Sequence, residues 1–218
     1  MLTLYHCANA RSFRPLWVLE ELGLPYRLVM LPFPPRLRAP EYLEVNPLGT
    51  IPFFRDGTAE MTESSAICQY LVTRYGPTPL AVGVEEPAYG RFLNGLFFGE
   101  ATLTFPQTLV LRYARHEPEE RKLPQIVDDY TRWFLSRLRA VDRALQTSDY
   151  YCADRFTAAD ISVGYALMFA TSLGLAAKFS PAVAAYWERL SARDGFARAQ
   201  ASQARAAREQ GLEEAPPI

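Results

Sequence analysis

The chain has few cysteines, almost no net charge and no long apolar run. Its three cysteines, Cys7, Cys68 and Cys152, form no CxxC pair and no metal-ligand spacing. We therefore predict no disulfide framework, no metal site, and reduced thiols of the kind kept in a cytoplasm. The 23 basic and 24 acidic residues give a formal net charge of −1, which does not favour binding to nucleic acid or to an anionic membrane surface.

No stretch of the sequence resembles a membrane span or a secretion signal. The longest uncharged run, residues 161–177, is too short and too polar to cross a bilayer, so a buried helix is expected there. Met1 runs directly into a strand-like segment, and we therefore predict no signal peptide. At 218 residues and 49% hydrophobic composition, the chain can form one large domain or two small ones.

The first part of the chain alternates between strand and helix patterns. Its predicted order is βαβαββα, beginning with a parallel βαβ unit. The predicted strands are Leu2–Tyr5, Tyr26–Leu31, Ile51–Phe54 and a returning strand at Glu60–Met61; the predicted helices are Phe13–Leu22, a turn at Glu41–Val45, and a helix that opens at Glu63.

The second part reads as helix without strand. Residues 1–78 are predicted to form the first domain, 79–86 a linker and 87–218 an all-helical domain. A long helix is expected at Ala88–His116, kinked where Pro106 meets the carbonyl of Thr102. Further on, Thr157 and Asp160 have the spacing of a capping box. The tail after about Gln200 is rich in alanine and charge and is expected to fray.

One short stretch, residues 46–54, combines two prolines and a turn glycine with a short apolar strand. The Ile51–Pro52 bond is a candidate for the cis isomer. A peptide group exposed there could pair with a small peptide as an added strand. Glu63 and Ser64 open the next helix, where free N–H groups and a hydroxyl suit a carboxylate and the acid suits an ammonium. The alternative is a hairpin and a capped helix with no ligand.

These residues resemble a known family. Asn-Pro-x-Gly-x-Ile-Pro, followed by Glu-Ser, is similar to the glutathione-binding half of the cytosolic glutathione transferases, and the resemblance extends over nearly the whole chain. It implies a thioredoxin-like N-terminal domain followed by an all-helical domain. It also implies that glutathione pairs with the Ile51 peptide before Pro52. The resemblance assigns the γ-glutamyl end to Glu63 and Ser64, and the glycyl carboxylate to Arg36 or Arg38, which also fit solvated surface arginines. Thr50, a further candidate for glutathione binding, occupies a position where relatives often carry lysine.

A transferase of this family has to stabilise a thiolate, and the loop from Tyr5 to Ser12 offers hydroxyl donors beside a helix N-terminus. Many relatives carry Ser-Arg-Ser-x-Arg here, whereas this chain has Ala10 in place of the first serine. Ser12 is our first candidate for the thiol partner, with a helix N-cap as the alternative. Asn9 and Arg11 come next, and a solvated loop is their alternative.

The resemblance implies conjugation of glutathione, as co-substrate, to a small apolar electrophile by a cytoplasmic homodimer with a role in detoxification. No metal is expected. The electrophile is expected near aromatic and basic side chains of the long helix, which also fit an ordinary core stripe: Phe98, Phe105, Arg112 and Tyr113. Two other functions stay open, a thiol reductase or peroxidase that uses Cys7, and a non-catalytic binding module of the same fold.

Overall fold

The structure is a computed structural model that describes residues 1–212, and the chain divides into two compact units. The first unit contains residues 1–78 together with the segment from Ala192 onward, and the second contains Pro79–Ser191. Within residues 1–212, no helix combines the length and the apolar character that crossing a membrane requires.

The first unit is built on a four-stranded mixed sheet with the strand order β2-β1-β3-β4. Its strands are β1 Leu2–His6, β2 Tyr26–Met30, β3 Phe53–Asp56 and β4 Ala59–Met61. β1 is parallel to β2 and antiparallel to β3, and β3 is antiparallel to β4. The predicted thioredoxin-like order is therefore confirmed. β3 begins two residues later than predicted, at Phe53, because Pro52 has no N–H to give to a ladder.

Most helices follow the predicted sequence of elements, but α2 lies in a proline-rich segment for which no helix was predicted. In chain order they are α1 Phe13–Leu22, α2 Pro35–Arg38, α3 Ser64–Arg74, α4 Tyr89–Phe97, α5 Phe105–Leu111, α6 Pro124–Leu145, α7 Ala158–Ser172, α8 Pro181–Ser191 and α9 Asp194–Glu209. Short 3-10 turns lie at Pro40–Glu44, Glu119–Arg121 and Ala176–Lys178. The second unit is helical throughout, so the all-helical character predicted for this part of the chain is confirmed.

The last helix differs from its prediction. The residues after about Gln200 were expected to be frayed, but α9 continues to Glu209 and packs against α1 and β2. Buried Ala199 and Ala206 bring its backbone close to the first unit. Arg193, just before α9, forms a two-nitrogen ion pair with Glu21 of α1 at 2.8 and 2.9 Å. This helix therefore groups with the first unit rather than with the helices that precede it, and residues 213–218 of the predicted frayed tail lie outside the described residues.

The predicted long helix of the second unit is interrupted by two π-helical segments, Phe98–Thr104 and Arg112–His116. The first one ends just before Pro106, at the place where the kink was expected. Proline removes an N–H and crowds the carbonyl of Thr102, and a wider turn relieves both. The Thr104 hydroxyl donates to the Gly99 carbonyl at 2.7 Å, which satisfies one of the backbone acceptors in this segment.

The capping box at the start of α7 is confirmed. The Asp160 carboxylate accepts a hydrogen bond from the Thr157 N–H at 2.8 Å. It also accepts from the Thr157 hydroxyl at 2.9 Å, the Tyr151 N–H at 2.8 Å and the Tyr186 hydroxyl at 2.7 Å. Burial raises the pKa of Asp160, and these four donors act in the opposite direction. Asp160 thus ties the start of α7 to α8 and to the segment before it.

Candidate functional site

Three chain segments of the first unit meet at one end of its sheet. Tyr5, near the end of β1, is paired with Phe53 at the start of β3, because these strands are antiparallel. Met61, at the end of β4, is paired with Phe54. The loop after β1, the Ile51–Pro52 bond before β3 and the start of α3 after β4 therefore lie at the same end of the sheet. The sequence predicted these segments as parts of one site, and the sheet topology brings them together.

The loop before β3 is held by buried polar side chains. The Thr50 carbonyl accepts hydrogen bonds from the Asn46 amide and the Tyr42 hydroxyl, both at 2.8 Å. The Ile51–Pro52 bond is cis, which is the isomer that the sequence left open. Gly49 has φ 58°, and a Cβ there would lie 2.7 Å from the Arg36 Cβ, so only glycine fits this turn. The backbone at Ile51 is thereby held outside the β3 ladder.

At the start of α3, Glu63 is the N-cap residue but its side chain makes no capping hydrogen bond. Its carboxylate is exposed, whereas Ser64 is 3% exposed. The Ser64 Oγ accepts a hydrogen bond from Arg14 Nη1 at 3.2 Å. Arg14 is fully buried in the first turn of α1, and sequence reasoning did not select it. Arg14 is the last arginine of the Ser-Arg-Ser-x-Arg pattern of the relatives, but only the structure shows that it is buried and bound to Ser64.

The basic side chains predicted for a glycyl carboxylate lie nearby in the chain but remain exposed. Arg36 and Arg38 are both in the last turn of α2 and both are solvent-exposed. The Thr50 side chain is exposed as well, while its carbonyl is engaged as described above. These positions leave room for a ligand carboxylate at Arg38 and Thr50, and their assignment stays a prediction.

Ser12 occupies a different environment from the one predicted. It is fully buried at the N-cap of α1, and its side chain does not cap the helix. Its hydroxyl instead bridges back to Cys7: the Cys7 N–H donates to Ser12 Oγ at 3.4 Å, and the hydroxyl donates to the Cys7 carbonyl at 3.5 Å. The hydroxyl therefore closes the loop that precedes α1. This placement favours a structural role over direct contact with a ligand.

Asn9 lies in the same loop with a positive φ of 58° and is partly exposed. It is bound to Gln203 of α9: the Asn9 N–H donates to Gln203 Oε1 at 3.1 Å, and Gln203 Nε2 donates to Asn9 Oδ1 at 2.8 Å. Arg11 is also partly exposed. Of the three residues predicted to act on a thiol, these two are the ones that reach the surface.

Cys7, the residue required by the redox alternative, is fully buried. Its thiol lies 3.7 Å from the Pro32 carbonyl, to which it can donate a hydrogen bond. Burial raises the pKa of the Cys7 thiol to about 12, so it is protonated at neutral pH. A protonated and buried thiol is a poor nucleophile, and this environment does not favour a reductase or peroxidase that uses Cys7.

The four residues predicted for a second substrate all lie in the second unit, but not on one common helix face. The Phe98 ring stacks against Tyr151 with centroids 6.2 Å apart, whereas Phe105 is 55% exposed. The π-helical turn between them explains the difference, because a seven-residue spacing returns to the same face only in an α-helix. The Arg112 guanidinium lies over the Tyr113 ring and pairs with Glu117 at 2.6 Å.

The arrangement in the first unit can bind a small peptide-like ligand. The N-termini of α1 and α3 lie at the end of the sheet where Ile51 leaves the ladder, and neither N-cap side chain makes a capping hydrogen bond. In α1 the Phe13 and Arg14 N–H groups donate to the carbonyls of Ala10 and Arg11, so α3 is the helix better suited to offer N–H groups to a ligand. Such helix ends favour negative charge. The exposed Glu63 carboxylate beside them adds a partner for an ammonium group.

Comparison with known proteins agrees with this geometry. The N-terminal domain model of glutathione S-transferases matches residues 3–79, and the C-terminal domain model matches residues 100–194. Glutathione S-transferase 4 of Zea mays is 30% identical over 189 residues, which cover 83% of this chain and 82% of the relative. Glutathione S-transferase 3 of Schizosaccharomyces pombe is 29% identical over 175 residues, covering 73% and 70%. A glutathione transferase from Phanerochaete chrysosporium, solved in complex with oxidized glutathione, is similar in structure with a TM-score of 0.82. It is 27% identical, and the match covers 94% of this chain and 97% of that one.

Proposed function

Because the chain belongs to the glutathione S-transferase family, we propose that it conjugates the thiol of glutathione to a small apolar electrophile. Glutathione binds to the first unit, its thiol loses a proton, and the thiolate sulfur forms a new bond to an electrophilic carbon. The protein contributes binding, orientation and stabilisation of the thiolate. This function requires no metal.

One observation carries the proposal: the starts of α1 and α3 and the Ile51–Pro52 bond share one end of the sheet. In the proposed complex the Ile51 peptide group pairs with the cysteinyl part of glutathione. Ser64 donates to the γ-glutamyl carboxylate and Glu63 pairs with its ammonium group. The glycyl carboxylate lies towards Arg38 and Thr50. These contacts match a tripeptide that carries a carboxylate at each end and one ammonium.

For the thiolate, the geometry favours Asn9 and Arg11 over Ser12. A free thiol has a pKa near about 8.5, and a hydrogen-bond donor or a nearby cation lowers it. The Ser12 hydroxyl is buried and bound to Cys7, while Asn9 and Arg11 are partly exposed in the same loop. We therefore assign the sulfur contact to the Asn9 side-chain amide, with Arg11 adding positive charge.

The electrophile is assigned to aromatic and basic side chains of the second unit, as the family resemblance implies. All four side chains reach the surface: Phe105 and Arg112 are exposed, Phe98 and Tyr113 are partly exposed, and Phe98 also stacks on Tyr151. The apolar ring surface suits an apolar electrophile, and Arg112 tolerates a polar substituent on it. We also propose a homodimer located in the cytoplasm, as the resemblance implies.

Calorimetric titration with glutathione, followed by activity measurements with a panel of electrophiles and peroxides, tests this function. We expect glutathione binding and formation of thioether conjugates. Peroxide reduction without conjugation would favour the redox alternative, and binding without either activity would favour a non-catalytic module. A chain that does not bind glutathione contradicts the proposal altogether.

A further inference from the structure

The loop that carries Asn9 has an unusual backbone. With φ 58°, Asn9 lies in the left-handed region, which residues other than glycine seldom adopt and which asparagine tolerates better than most. In residues 1–212 the non-glycine residues with positive φ are Asn9, Ala153 and Asp154. Asn9 is therefore the one such residue that belongs to the candidate site, and something has to hold it there.

Gln203, which lies on helix α9, keeps Asn9 in this conformation through hydrogen bonds. Its Oε1 accepts from the Asn9 N–H at 3.1 Å and from His6 Nε2 at 2.9 Å. Its Nε2 donates to Asn9 Oδ1 at 2.8 Å and to Gln200 Oε1 at 2.6 Å. Both oxygen lone pairs and both N–H groups are thus used, and the side chain is 5% exposed. Because each donor and acceptor of this buried amide is hydrogen-bonded, the amide can adopt only one orientation.

This contact fixes the side chain of Asn9 as well as its backbone. Gln203 engages the Asn9 N–H and the Asn9 Oδ1 together, so neither can rotate without breaking the other bond. Gln203 therefore fixes the plane and the orientation of the Asn9 amide group together with the backbone that carries it.

The helix that bears Gln203 is itself fixed to the first unit on both sides of this residue. The Ser202 hydroxyl donates to Glu20 of α1 at 2.7 Å. Beyond the helix end, Gln210 accepts from the Met30 N–H at 2.9 Å and donates to the Leu28 carbonyl at 3.0 Å. Since α9 is held to α1 and to the edge strand β2, Gln203 is a rigid anchor for the loop.

We propose that Gln203 is a positioning residue for the thiol-binding loop: it locks Asn9 so that the Asn9 amide donates to the sulfur of bound glutathione. This inference rests on the proposed function. It assigns a role in thiolate stabilisation to the last helix of the chain, through a contact that spans 194 positions of sequence. Gln203 does not touch glutathione, so its loss acts on the ionisation of the thiol and leaves the peptide contacts in place.

The titratable side chains beside the Gln203–Asn9 contact, those of His6 and Cys7, do not disturb its hydrogen bonds near pH 7. Burial lowers the pKa of His6 to about 4, so its ring is neutral near pH 7 and its Nε2–H donates to Gln203. Cys7 stays protonated because burial raises its pKa to about 12. Arg11 is the cationic residue nearest to Asn9 along the sequence.

The experiment measures the thiolate ultraviolet absorbance of the glutathione complex against pH, in the full chain and in four variants. Gln203→Met keeps the size and removes the amide, Asn9→Ala removes the donor, and a double variant combines them. Ser202→Ala is the matched control, because it loosens the same helix from Glu20 without touching Asn9. Glutathione affinity by calorimetry and the melting temperature are recorded for each. If Gln203→Met does not fold, Gln203→Asn replaces it, since its shorter side chain cannot reach both Asn9 groups.

We expect Gln203→Met and Asn9→Ala each to raise the apparent pKa of the bound thiol by about one pH unit, a tenfold loss of thiolate preference. The double variant should show the same rise and not twice the rise, because both changes remove one interaction. Affinity for glutathione measured below the thiol pKa should change less than about threefold. A Gln203 variant that titrates like the parent, or a Ser202→Ala variant that shifts equally, overturns this inference alone. A parent chain that binds no glutathione overturns the proposed function and this inference together.

Discussion

Arg14 Nη1 lies 3.2 Å from Ser64 Oγ and joins the first turn of α1 to the first turn of α3. The guanidinium is fully buried, so the bond is made away from solvent screening. Because the Ser64 oxygen accepts from a cation, its own O–H is polarised and is directed away from Arg14. This is the geometry that a donor to a ligand carboxylate requires, and Arg14 is the residue of the site that sequence reasoning missed.

The first prediction follows from this pair. Ser64→Ala should weaken glutathione binding by about 1–3 kcal/mol, because the γ-glutamyl carboxylate loses a hydroxyl donor. Calorimetric titration measures the change. Thr73→Ala is the control, since it alters an exposed residue in the last turn of the same helix. Affinity that is unchanged in both Ser64→Ala and Glu63→Ala contradicts the assignment of this helix end to glutathione.

The parts of the fold that depend on local signals were predictable. The bounds of α1 agree with the prediction at both ends, and the capping box at Thr157 and Asp160 is present. Each of these features is set by neighbours within about five residues, such as Pro15 in the first turn of α1 or the three-residue spacing of the capping box. The strand order of the sheet was also predictable, because a βαβ unit permits few arrangements.

The parts that depend on distant contacts were not predictable. Gln203 is chemically ordinary in sequence, and only the packing of α9 on α1 brings it to Asn9. The burial of Ser12 is likewise a product of tertiary packing. The π-helical segment before Pro106 changed which residues share a face, and the helical period assumed for Phe98 and Phe105 gave no sign of it.

The second prediction concerns Ser12. Ser12→Ala should lower the free energy of unfolding by about 0.5–1.5 kcal/mol, because the loop loses its two hydrogen bonds to Cys7. The thiol of bound glutathione should titrate as in the parent, since the hydroxyl faces the protein interior. Urea denaturation and thiolate absorbance measure the two effects. A rise in thiol pKa without loss of stability would return Ser12 to the role of sulfur contact.

The third prediction concerns the buried carboxylate at the start of α7. Asp160→Ala should cost about 2–4 kcal/mol of folding free energy, because it leaves the donors of Thr157, Tyr151 and Tyr186 buried without an acceptor. Asp160→Asn keeps one acceptor oxygen and should cost less. Urea midpoints give both values, and glutathione affinity should be unaltered. Equal stability of Asp160→Ala and the parent contradicts the structural role.

The last prediction is a dependence of stability on pH that His6 creates. Burial, opposed in part by the Gln203 hydrogen bond, lowers the pKa of His6 from 6.5 to about 4. Between these values the unfolded chain binds a proton that the folded chain does not, so the free energy of unfolding falls as the pH falls from 6.5 towards 4. The full contribution is about 3 kcal/mol from this one group.

Urea denaturation at pH values from 4 to 7 measures this slope. His6→Gln keeps a donor for Gln203 but has no titratable ring. The free energy of unfolding of this variant should therefore fall less than that of the parent between pH 7 and pH 4, by the contribution of one proton. The chain has one other histidine, the exposed His116, and His116→Gln is therefore the matched control, with a slope expected to equal the parent's. If His6→Gln and the parent lose stability in parallel, His6 is not the group that titrates. The pKa of His6 in the folded chain would then be close to its ordinary value of 6.5 rather than lowered by burial.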